Sequence, residues 1–460
     1  MRVTQPYDGE LIAEIPVDRA PDVEAKLERA AQIFSCRANW LPAYERVNIL
    51  RRLARLVEDD HDVLSMLIAR EGGKPLADAR VEVTRAINGI EGAAAHIEHL
   101  AGVEIPMGLT PASANRWAFT TREPTGLVVA ISAFNHPLNL IVHQAVPAIA
   151  VGSPVLVKPA PVTPLTCAHF VSLVHKAGLP EPRCQLVILD DNSLAQKLGT
   201  DPRVAFLSFI GSAKVGWYLH SQLAPGTRCA LEHGGAAPVI IDTSANLDAV
   251  IEPLAKGGYY HAGQVCVSVQ RIFVHEDLKD AFIERFAERV RRLTVGDPRA
   301  IETEVGPLIA PREVERVGKW VAAAVAEGAT LAAGGQPIGD RLYEPTILVE
   351  PRPSSLVSTS EIFGPVTCVY GFTGLREAIA QANSLPFAFQ ASIFSRDIDA
   401  ALQAAKHLAA SAIMVNDHTA FRTDWMPFAG QRQSGLGTGG IRYTMDDMLQ
   451  NKMILLRHCA

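Results

Sequence analysis

From Gly126 onward, short runs of β-branched residues alternate with amphipathic segments, and this alternation most limits the possible folds. Each run suits a buried strand, and each intervening segment is long enough for a helix. The pattern predicts a doubly wound, parallel α/β sheet, which binds ligands beyond the carboxyl ends of its strands. The predicted strands are residues 127–133, 154–158, 185–190 and 204–210, with helices over 137–151, 165–178 and 192–199.

A second α/β series begins after Gly234 and Gly235. Strands are predicted at 237–243 and 267–275 with a helix over 250–260 between them, followed by an amphipathic helix over 277–294. The first hundred residues are predicted to be mainly helical, and a hairpin is expected near residues 105–124. At 460 residues the chain is too long for one ordinary core, so two or three domains are expected.

The composition excludes several functional classes. A net charge of -6 without a block of Lys or Arg argues against a nucleic-acid partner. The longest apolar stretch, residues 138–151, is interrupted by Asn, His, Gln and Pro, so no membrane span is expected. The N-terminal residues lack the basic and apolar regions of a secretory signal, which favours a cytoplasmic enzyme.

Cys266 is the residue whose role the sequence leaves most open. It lies in the segment YHAGQVCVSV and could be a packing residue, half of a redox pair, a metal ligand or a nucleophile. The seven cysteines are widely spaced and form no CxxC pair, which disfavours a disulfide scaffold or a zinc site, and no metal is predicted. Gly263 and Gln264 indicate a turn that presents the thiol, so packing and nucleophilic attack remain.

Two polar residues at predicted strand ends could act with this thiol. Glu232 stands beside two glycines and could serve as a general base that activates water; alternatively it is a solvated turn residue. Asn135 follows the strand at 127–133, where its amide could donate to a developing oxyanion or simply form an Asx-turn before Pro137.

Two further features indicate a nucleotide cofactor, each weakly. Gly211 and Ser212 join a predicted strand to a helix, which suits a pyrophosphate at a helix N-terminus, although the GxGxxG fingerprint is missing. Lys158 ends a predicted strand, where it could contact a cofactor hydroxyl or phosphate, or remain a solvated lysine.

Taken together and in order, these blocks resemble the aldehyde dehydrogenase superfamily along essentially the whole chain. Residues 81–87, 134–140 and 416–428 are most similar to its lactaldehyde and phosphonoacetaldehyde dehydrogenase branch. The blocks that carry the family resemblance are AFNHP (133–137), FIGSAKVG (209–216), LEHGG (231–235), GQVC (263–266), EIFGP (361–365) and MPFAGQRQSGLG (426–437).

The resemblance implies an NAD- or NADP-dependent oxidation of an aldehyde to a carboxylic acid, through a thiohemiacetal and a thioester on Cys266. Asn135 would hold the oxyanion, and Glu232 would activate the hydrolytic water. The cofactor residues it implies are Phe134, Lys158 for the adenosine ribose, Gly211 and Ser212 for the pyrophosphate, and Glu361 and Phe363 for the nicotinamide ribose and ring.

The resemblance also implies a three-part architecture. A Rossmann-type cofactor domain would comprise residues 1–104 and 125–233, and an α/β catalytic domain residues 234–433. A small β element of residues 105–124 and 434–460 would mediate assembly into a homodimer or homotetramer, because a two-stranded ribbon is marginal alone.

Four departures from the family pattern limit this transfer. Pro161 stands where many NAD-preferring members have a glutamate, which makes NADP or dual use plausible. His233 replaces a leucine and Ala429 a glycine, with effects that the sequence does not disclose. Thr438 and Gly439 stand where related enzymes often carry Arg-Glu.

The expected substrate is a small polar or anionic aldehyde. Arg85, His136 and Arg422 could form a cationic pocket for a carboxylate, phosphonate or sulfonate. Alternatively, Arg85 could pair with Glu82, and Arg422 with Asp424. His143 is expected to be a satisfied histidine of the core or tunnel wall.

Two other functions compete with aldehyde oxidation to an acid. An acylating, coenzyme A-dependent dehydrogenase resembles this chain, but such enzymes generally lack the equivalent of Glu232. A non-catalytic scaffold or binding protein could keep the fold, although Cys266, Asn135 and Glu232 are all intact.

Overall fold

A computed structural model describes residues 1–457; the last three residues, including Cys459 and the end of the expected assembly element, lie outside the described part. The N-terminal third is mainly helical, as predicted. Its elements are β1 (Arg2–Thr4), β2 (Leu11–Glu14), α1 (Ala20–Ser35), α2 (Ala43–Asp59), α3 (His61–Gly72) and α4 (Leu76–His96).

The next segment contains the first alternating series. Its elements are β3 (Glu104–Ile105), β4 (Arg116–Pro124), β5 (Leu127–Ile131), α5 (Asn139–Val151), β6 (Val155–Lys158), α6 (Pro164–Lys176), β7 (Cys184–Leu186), α7 (Asn192–Thr200), β8 (Val204–Ile210), α8 (Ala213–Ser221) and β9 (Arg228–Glu232).

The remaining elements form the second series and the C-terminal segment. They are β10 (Ala237–Ile241), α9 (Leu247–Tyr259), β11 (Val269–His275), α10 (Glu276–Arg291), α11 (Pro311–Ala326), β12 (Thr330–Ala333), β13 (Pro337–Ile338), β14 (Leu342–Tyr343), β15 (Thr346–Val349), α12 (Leu356–Thr359), β16 (Val366–Phe372), α13 (Leu375–Ala382), β17 (Phe387–Ala388), β18 (Gln390–Phe394), α14 (Ile398–His407), β19 (Ala412–Val415), β20 (Gln431–Arg432), β21 (Gly435–Leu436), α15 (Ile441–Asp447) and β22 (Leu449–Arg457).

Two large sheets organise the molecule. The first has the order β21-β9-β8-β5-β6-β7 and is parallel except for β21, which runs antiparallel to β9. The second has the order β12-β15-β16-β11-β10-β18-β19 and is parallel except for β12. The predicted parallel α/β architecture is therefore confirmed, with helices packed on hydrophobic sheets.

Two details differ from the sequence prediction. The strand predicted at 185–190 is only three residues long, because β7 lies at the sheet edge and the chain leaves it after Leu186. The expected hairpin is present as β3 and β4, but β4 pairs over its whole length with β22, which the sequence indicated only as a short tail. No helix among residues 1–457 is both long and apolar enough to cross a lipid bilayer.

Two buried glutamates on the N-terminal helices α3 and α4 accept hydrogen bonds from the first backbone amides of α5 and α6, two helices of the first α/β series. Oε1 of Glu82 accepts hydrogen bonds from the amides of Leu138 (2.9 Å) and Asn139 (3.0 Å) at the start of α5, and Oε2 pairs with buried Lys74. A carboxylate at this position satisfies free amides and interacts favourably with the helix dipole. Glu82 thereby fixes the segment that follows Asn135.

Glu71 acts in the same way at α6. Its carboxylate accepts from the amides of Leu165 (2.8 Å) and Thr166 (2.7 Å). Thr163 is the N-cap residue, but its side chain makes no capping hydrogen bond, because the carboxylate already occupies the amides. Burial raises the pKa of Glu71 to about 7.

Replacing Glu82 by alanine is expected to destabilise the protein strongly. The change leaves Lys74 as an unpaired buried charge and two amides of α5 without acceptors, and breaking a buried pair costs about 3–5 kcal/mol. Chemical denaturation should show a markedly lower midpoint. Glu91→Ala, on the exposed surface of the same helix, is the control; equal midpoints for the two variants would contradict the account.

Candidate active site

Every residue predicted for the site lines one cavity of about 610 Å³. The carboxyl ends of four parallel strands in the first sheet open into it, as expected for this kind of sheet. Segments following α9, α12 and β19 close it from the other side. The predicted residues in its wall are Arg85, Phe134, Asn135, His136, Lys158, Gly211, Ser212, Glu232, Cys266, Glu361, Phe363 and Arg422.

The loop that carries Cys266 is rigidly held. After α9 the chain passes through residues 261–263, all with positive φ, although two of the three are not glycine. The side chain of Gln264 then donates to the carbonyl of Pro307 (3.2 Å) and accepts from the amide of Ile309 (2.9 Å). Strained backbone of this kind persists only where surrounding contacts hold it, and it is common at functional sites.

The thiol of Cys266 is protonated in the isolated protein. Burial raises its pKa, and the negative charges of Glu361 and Glu232 raise it further, while Arg422 opposes them. A nucleophilic role therefore requires a group that accepts the thiol proton.

Asn135 lies in the segment after β5 and contacts the loop that carries Cys266. Its Nδ2 donates to the backbone carbonyl of Gln264 at 2.9 Å, and the residue is 5% exposed. This bond uses one of the two amide hydrogens, so the second can serve a negatively charged oxygen bound next to Cys266.

Glu232 ends β9 inside the cavity and has the properties of a base. Burial raises its pKa to about 7, and the positive charge of Arg422 opposes the rise. Its carboxylate lies against Gly439: a Cβ added at that glycine would be 2.1 Å from Oε1. The absence of a side chain at Gly439 therefore sets where the carboxylate rests.

One end of the cavity fits a dinucleotide. Burial raises the pKa of Glu361 to about 8, and its Oε1 has no hydrogen-bond partner among the described residues. Such a buried acceptor suits a ribose hydroxyl. The ring of Phe363 lies edge-on to Phe134 at 5.9 Å, which places two aromatic faces beside this carboxylate.

The other residues predicted to bind the cofactor lie at the carboxyl ends of strands in the first sheet. Nζ of Lys158 contacts only the carbonyl of Pro159 (3.1 Å) among described residues, and burial lowers its pKa to about 8. Ser212 is the N-cap residue of α8, so the first amides of that helix face the cavity as an anion site. Pro161 also lines this region, without a carboxylate to repel a 2′-phosphate.

Neither ion pair that was considered from the sequence, Arg85 with Glu82 or Arg422 with Asp424, is present in the structure. Glu82 pairs with Lys74 rather than Arg85. Arg85 instead makes a two-pronged contact with Asp424, at 3.0 and 3.3 Å. Asp424 also accepts from Nε2 of His143 (2.8 Å), which is the satisfied histidine that was predicted. Burial opposes the charge of Asp424, but the His143 hydrogen bond and the Arg85 charge lower its pKa.

Arg422, like Lys158 in the predicted cofactor region, consequently has no carboxylate within ion-pair distance in the described chain. Its guanidinium stacks on the ring of Phe428 at 3.6 Å, and one Nη lies 3.3 Å from Nδ1 of His143. Its Nε is buried and unpartnered among residues 1–457. Burial, then repulsion from Arg85, lowers the pKa of Arg422 to about 10, so it stays charged near pH 7.

His136 lies in the same part of the cavity as a neutral ring. Burial lowers its pKa, and the charge of Lys74 adds to this effect. Asp424, Gly439 and Tyr260 also contribute to this region, although the sequence motifs assign none of them a role in the site. Only their positions in the fold reveal them, since Asp424 contacts a helix 339 residues earlier in the chain.

With this geometry described, the chain can be set beside known proteins. A profile of the aldehyde dehydrogenase family matches residues 1–454. The chain belongs to this family. It is 34% identical over 456 residues to a 3-sulfolactaldehyde dehydrogenase from Priestia megaterium, covering 99% of this chain and 94% of that protein. It is 36% identical over 460 residues to a lactaldehyde dehydrogenase from Methanocaldococcus jannaschii, covering 99% and 97%.

Solved structures agree with the family and with the fold. A glyceraldehyde-3-phosphate dehydrogenase from M. jannaschii, complexed with NADP, superposes with a TM-score of 0.95 at 34% identity, over 100% of this chain and 99% of that one. Other similar structures contain NAD⁺. The dinucleotides in these similar structures agree with the NAD or NADP predicted from the sequence.

Replacing Gly439 by alanine is expected to lower turnover without unfolding the aldehyde dehydrogenase. The added methyl would collide with Oε1 of Glu232, a flexible group that can swing aside, and would lie 2.9 Å from the carbonyl oxygen of Phe428, so a modest loss of stability should accompany the loss of activity. We expect a decrease in kcat of about tenfold, of the order produced by misplacing one catalytic group. Gly374→Ala, where an added Cβ meets nothing within 4 Å and φ is -141, is the control for a glycine substitution; an unchanged kcat in Gly439→Ala would contradict this role.

Proposed function

We propose that this enzyme oxidises a small aldehyde carrying an anionic group to the corresponding carboxylic acid, with Cys266 as nucleophile. The observation that carries the substrate class is the charge balance of the cavity. Asp424 neutralises Arg85, whereas Arg422 has no carboxylate partner in the described chain. A carboxylate, phosphonate or sulfonate would supply the missing negative charge.

The reaction begins with attack of the Cys266 sulfur on the aldehyde carbonyl. Because the free thiol has a raised pKa, its proton must leave as the substrate binds, and Glu232 is the neighbouring carboxylate with a pKa near neutrality. A carbon–sulfur bond forms, and the carbonyl oxygen becomes an oxyanion. The second amide hydrogen of Asn135 stabilises this oxygen.

Collapse of this thiohemiacetal produces a thioester on Cys266. The nicotinamide, when bound, accepts the hydride that leaves the substrate carbon. Glu361 and Phe363 would hold its ribose and ring, Lys158 the adenosine ribose, and Gly211 and Ser212 the pyrophosphate. Phe134 supports the wall next to Phe363.

Glu232, once it has released the thiol proton to solvent, takes a proton from water, and the resulting hydroxide attacks the thioester carbonyl. The carbon–sulfur bond breaks and releases the acid and the Cys266 sulfur. A carboxylate with a pKa of about 7 is a suitable base for this step. Its presence favours hydrolysis over transfer of the acyl group to coenzyme A, and a retained but inactive scaffold would not need it.

Arg422 and His136 are the residues that we assign to the substrate. Arg422 would bind the anionic group, and neutral His136 would hydrogen-bond a polar substituent between that group and the aldehyde. The names of two relatives, a 3-sulfolactaldehyde dehydrogenase and a glyceraldehyde-3-phosphate dehydrogenase, support a three-carbon substrate of this kind. Arg85 contributes indirectly, because it pairs with Asp424 and so compensates the charge of that carboxylate.

Arg422→Met should remove the preference for anionic aldehydes. A hydrogen bond to a charged group contributes about 1.5–3 kcal/mol, so kcat/KM for succinate semialdehyde should fall about 10- to 100-fold relative to an alkyl aldehyde of equal length. The ratio between the two substrates separates substrate recognition from general damage to the site. Arg442→Met, on the exposed surface of α15, is the control. A ratio that does not change would exclude Arg422 as the anion-binding residue.

The pH dependence should report Glu232. Because burial raises its pKa to about 7, the base is protonated and inactive at pH 6 and ionised at pH 8. The kcat/KM value should therefore rise with pH through about 7 and then level off. Glu232→Gln should lose this rise along with most of the activity. A profile that is flat between pH 6 and 8 in the unmodified enzyme would argue against Glu232 as the base.

We also propose that the β3-β4-β22 sheet mediates self-association, as an element separate from the cofactor and catalytic domains. Trp117, 71% exposed, lies opposite Leu456, and Phe119 lies opposite Ile454, so one face of this antiparallel ribbon is apolar. A second copy of the chain would cover that face. Light scattering should give a dimer or tetramer, and Trp117→Glu should reduce the mass, unlike Ile301→Glu at an exposed loop. A monomeric unmodified enzyme would refute this.

A further inference from the structure

His233 makes one side-chain hydrogen bond, and it reaches the turn between β8 and α8. Its Nδ1 lies 3.0 Å from the carbonyl oxygen of Gly211. A carbonyl only accepts, so Nδ1 carries the hydrogen. The amide of Gly211 in turn donates to the carbonyl of Glu232 at 3.1 Å. These two bonds connect the turn to the end of β9 that bears the base.

The imidazole fills the wedge between this strand and this helix. It packs edge-on against Phe209 at 5.8 Å and against Trp217 at 5.9 Å, and the residue is only 2% exposed. A Cβ at Gly216 would lie 1.9 Å from its Cε1, so the ring fits only because that position is glycine. Leucine, the residue that the family pattern has here, could fill the wedge but could not donate to Gly211.

The second ring nitrogen of His233 makes no hydrogen bond to the part of the chain that the structure describes. Nε2 is buried and has no hydrogen-bond partner within residues 1–457. Burial lowers the pKa of His233, so the ring is neutral at pH 7 and carries its single hydrogen on Nδ1. An unpaired buried acceptor is unfavourable, and leucine would avoid that cost. What histidine provides here is therefore the bond to Gly211.

Fixing the carbonyl of Gly211 also fixes the following amide. The peptide unit is planar and trans, so the N–H of Ser212 points opposite to the carbonyl of Gly211. With the carbonyl held toward His233, the Ser212 amide is aimed away from it, and Ser212 lines the cavity at the N-terminus of α8. An amide in that direction can donate to a phosphate oxygen.

We propose that His233 is a positioning residue for the cofactor: its Nδ1 hydrogen bond orients the Gly211–Ser212 peptide so that the Ser212 amide donates to the cofactor pyrophosphate. This inference rests on the assignment of the turn to the pyrophosphate in the proposed function. His233 acts through the turn and does not itself touch the reacting atoms.

The test compares cofactor binding in His233→Leu and His233→Asn by titration calorimetry with NAD⁺ and NADP⁺. Leucine keeps the apolar volume and removes the donor, whereas Nδ2 of asparagine can take the place of Nδ1. We expect Kd to rise about 5- to 10-fold in the leucine variant, the range for one lost hydrogen bond, and to stay within about twofold in the asparagine variant. The effect on KM for the cofactor should exceed the effect on kcat at saturating cofactor.

Two further variants make the outcomes distinguishable. His220→Leu, exposed on α8 and also edge-on to Trp217, controls for histidine loss on this helix and should bind normally. Ser212→Pro removes the proposed donor itself at a φ of -66, which proline tolerates.

Normal binding by Ser212→Pro would refute the assignment of the turn to the cofactor, and with it the proposed cofactor site. Weak binding by Ser212→Pro together with normal binding by His233→Leu would refute only the role of His233. Equal weakening by leucine and asparagine, at unchanged melting temperature, would show that ring packing rather than the hydrogen bond matters, and would also overturn the proposal.

Discussion

A hydrogen bond from the side-chain amide of Asn135 to the backbone carbonyl of Gln264 links the part of the chain that contains the first sheet to the part that contains the second. Asn135 ends a strand of the first sheet, and Gln264 belongs to the loop that precedes the second sheet's β11. The cavity forms between these elements, and the residues assigned to the cofactor and the substrate are arranged on either side of this contact. Buried carboxylates farther out hold the helices that support it.

The balance of buried charge gives the site its chemical character. Burial raises the pKa values of Glu232 and Glu361, so both carboxyls can exchange protons near neutral pH. The Arg85–Asp424 pair is internally compensated, which leaves the charge of Arg422 as the feature to which we assign substrate selection. A buried charge is energetically unfavourable unless it is paired. An anionic ligand that pairs with the buried cation removes this unfavourable contribution, and its affinity increases accordingly.

The sequence predicted those features of the fold that depend on the local pattern of residues. The alternation of strand and helix predicted the first parallel sheet and, in the second, strands β10 and β11, and the site residues proposed from short motifs all line the cavity. It could not predict contacts between distant segments. The partner of Arg85 lies 339 residues away, and the true cap of α6 is Glu71 rather than Thr163. The meaning of His233 and Gly439 also depends on which atoms the fold brings beside them.

The most direct test of the account is intact-mass and peptide analysis of Glu232→Gln after mixing with NAD⁺ or NADP⁺ and succinate semialdehyde. If Cys266 is the nucleophile and Glu232 both accepts the thiol proton and activates the water, the variant should be acylated slowly and its thioester should not be hydrolysed. Over a long incubation it should accumulate one acyl group per chain, located on the peptide containing Cys266, and only when cofactor is present. An acyl group on another residue, or formation of reduced cofactor without any covalent acyl-enzyme, would contradict the proposed mechanism.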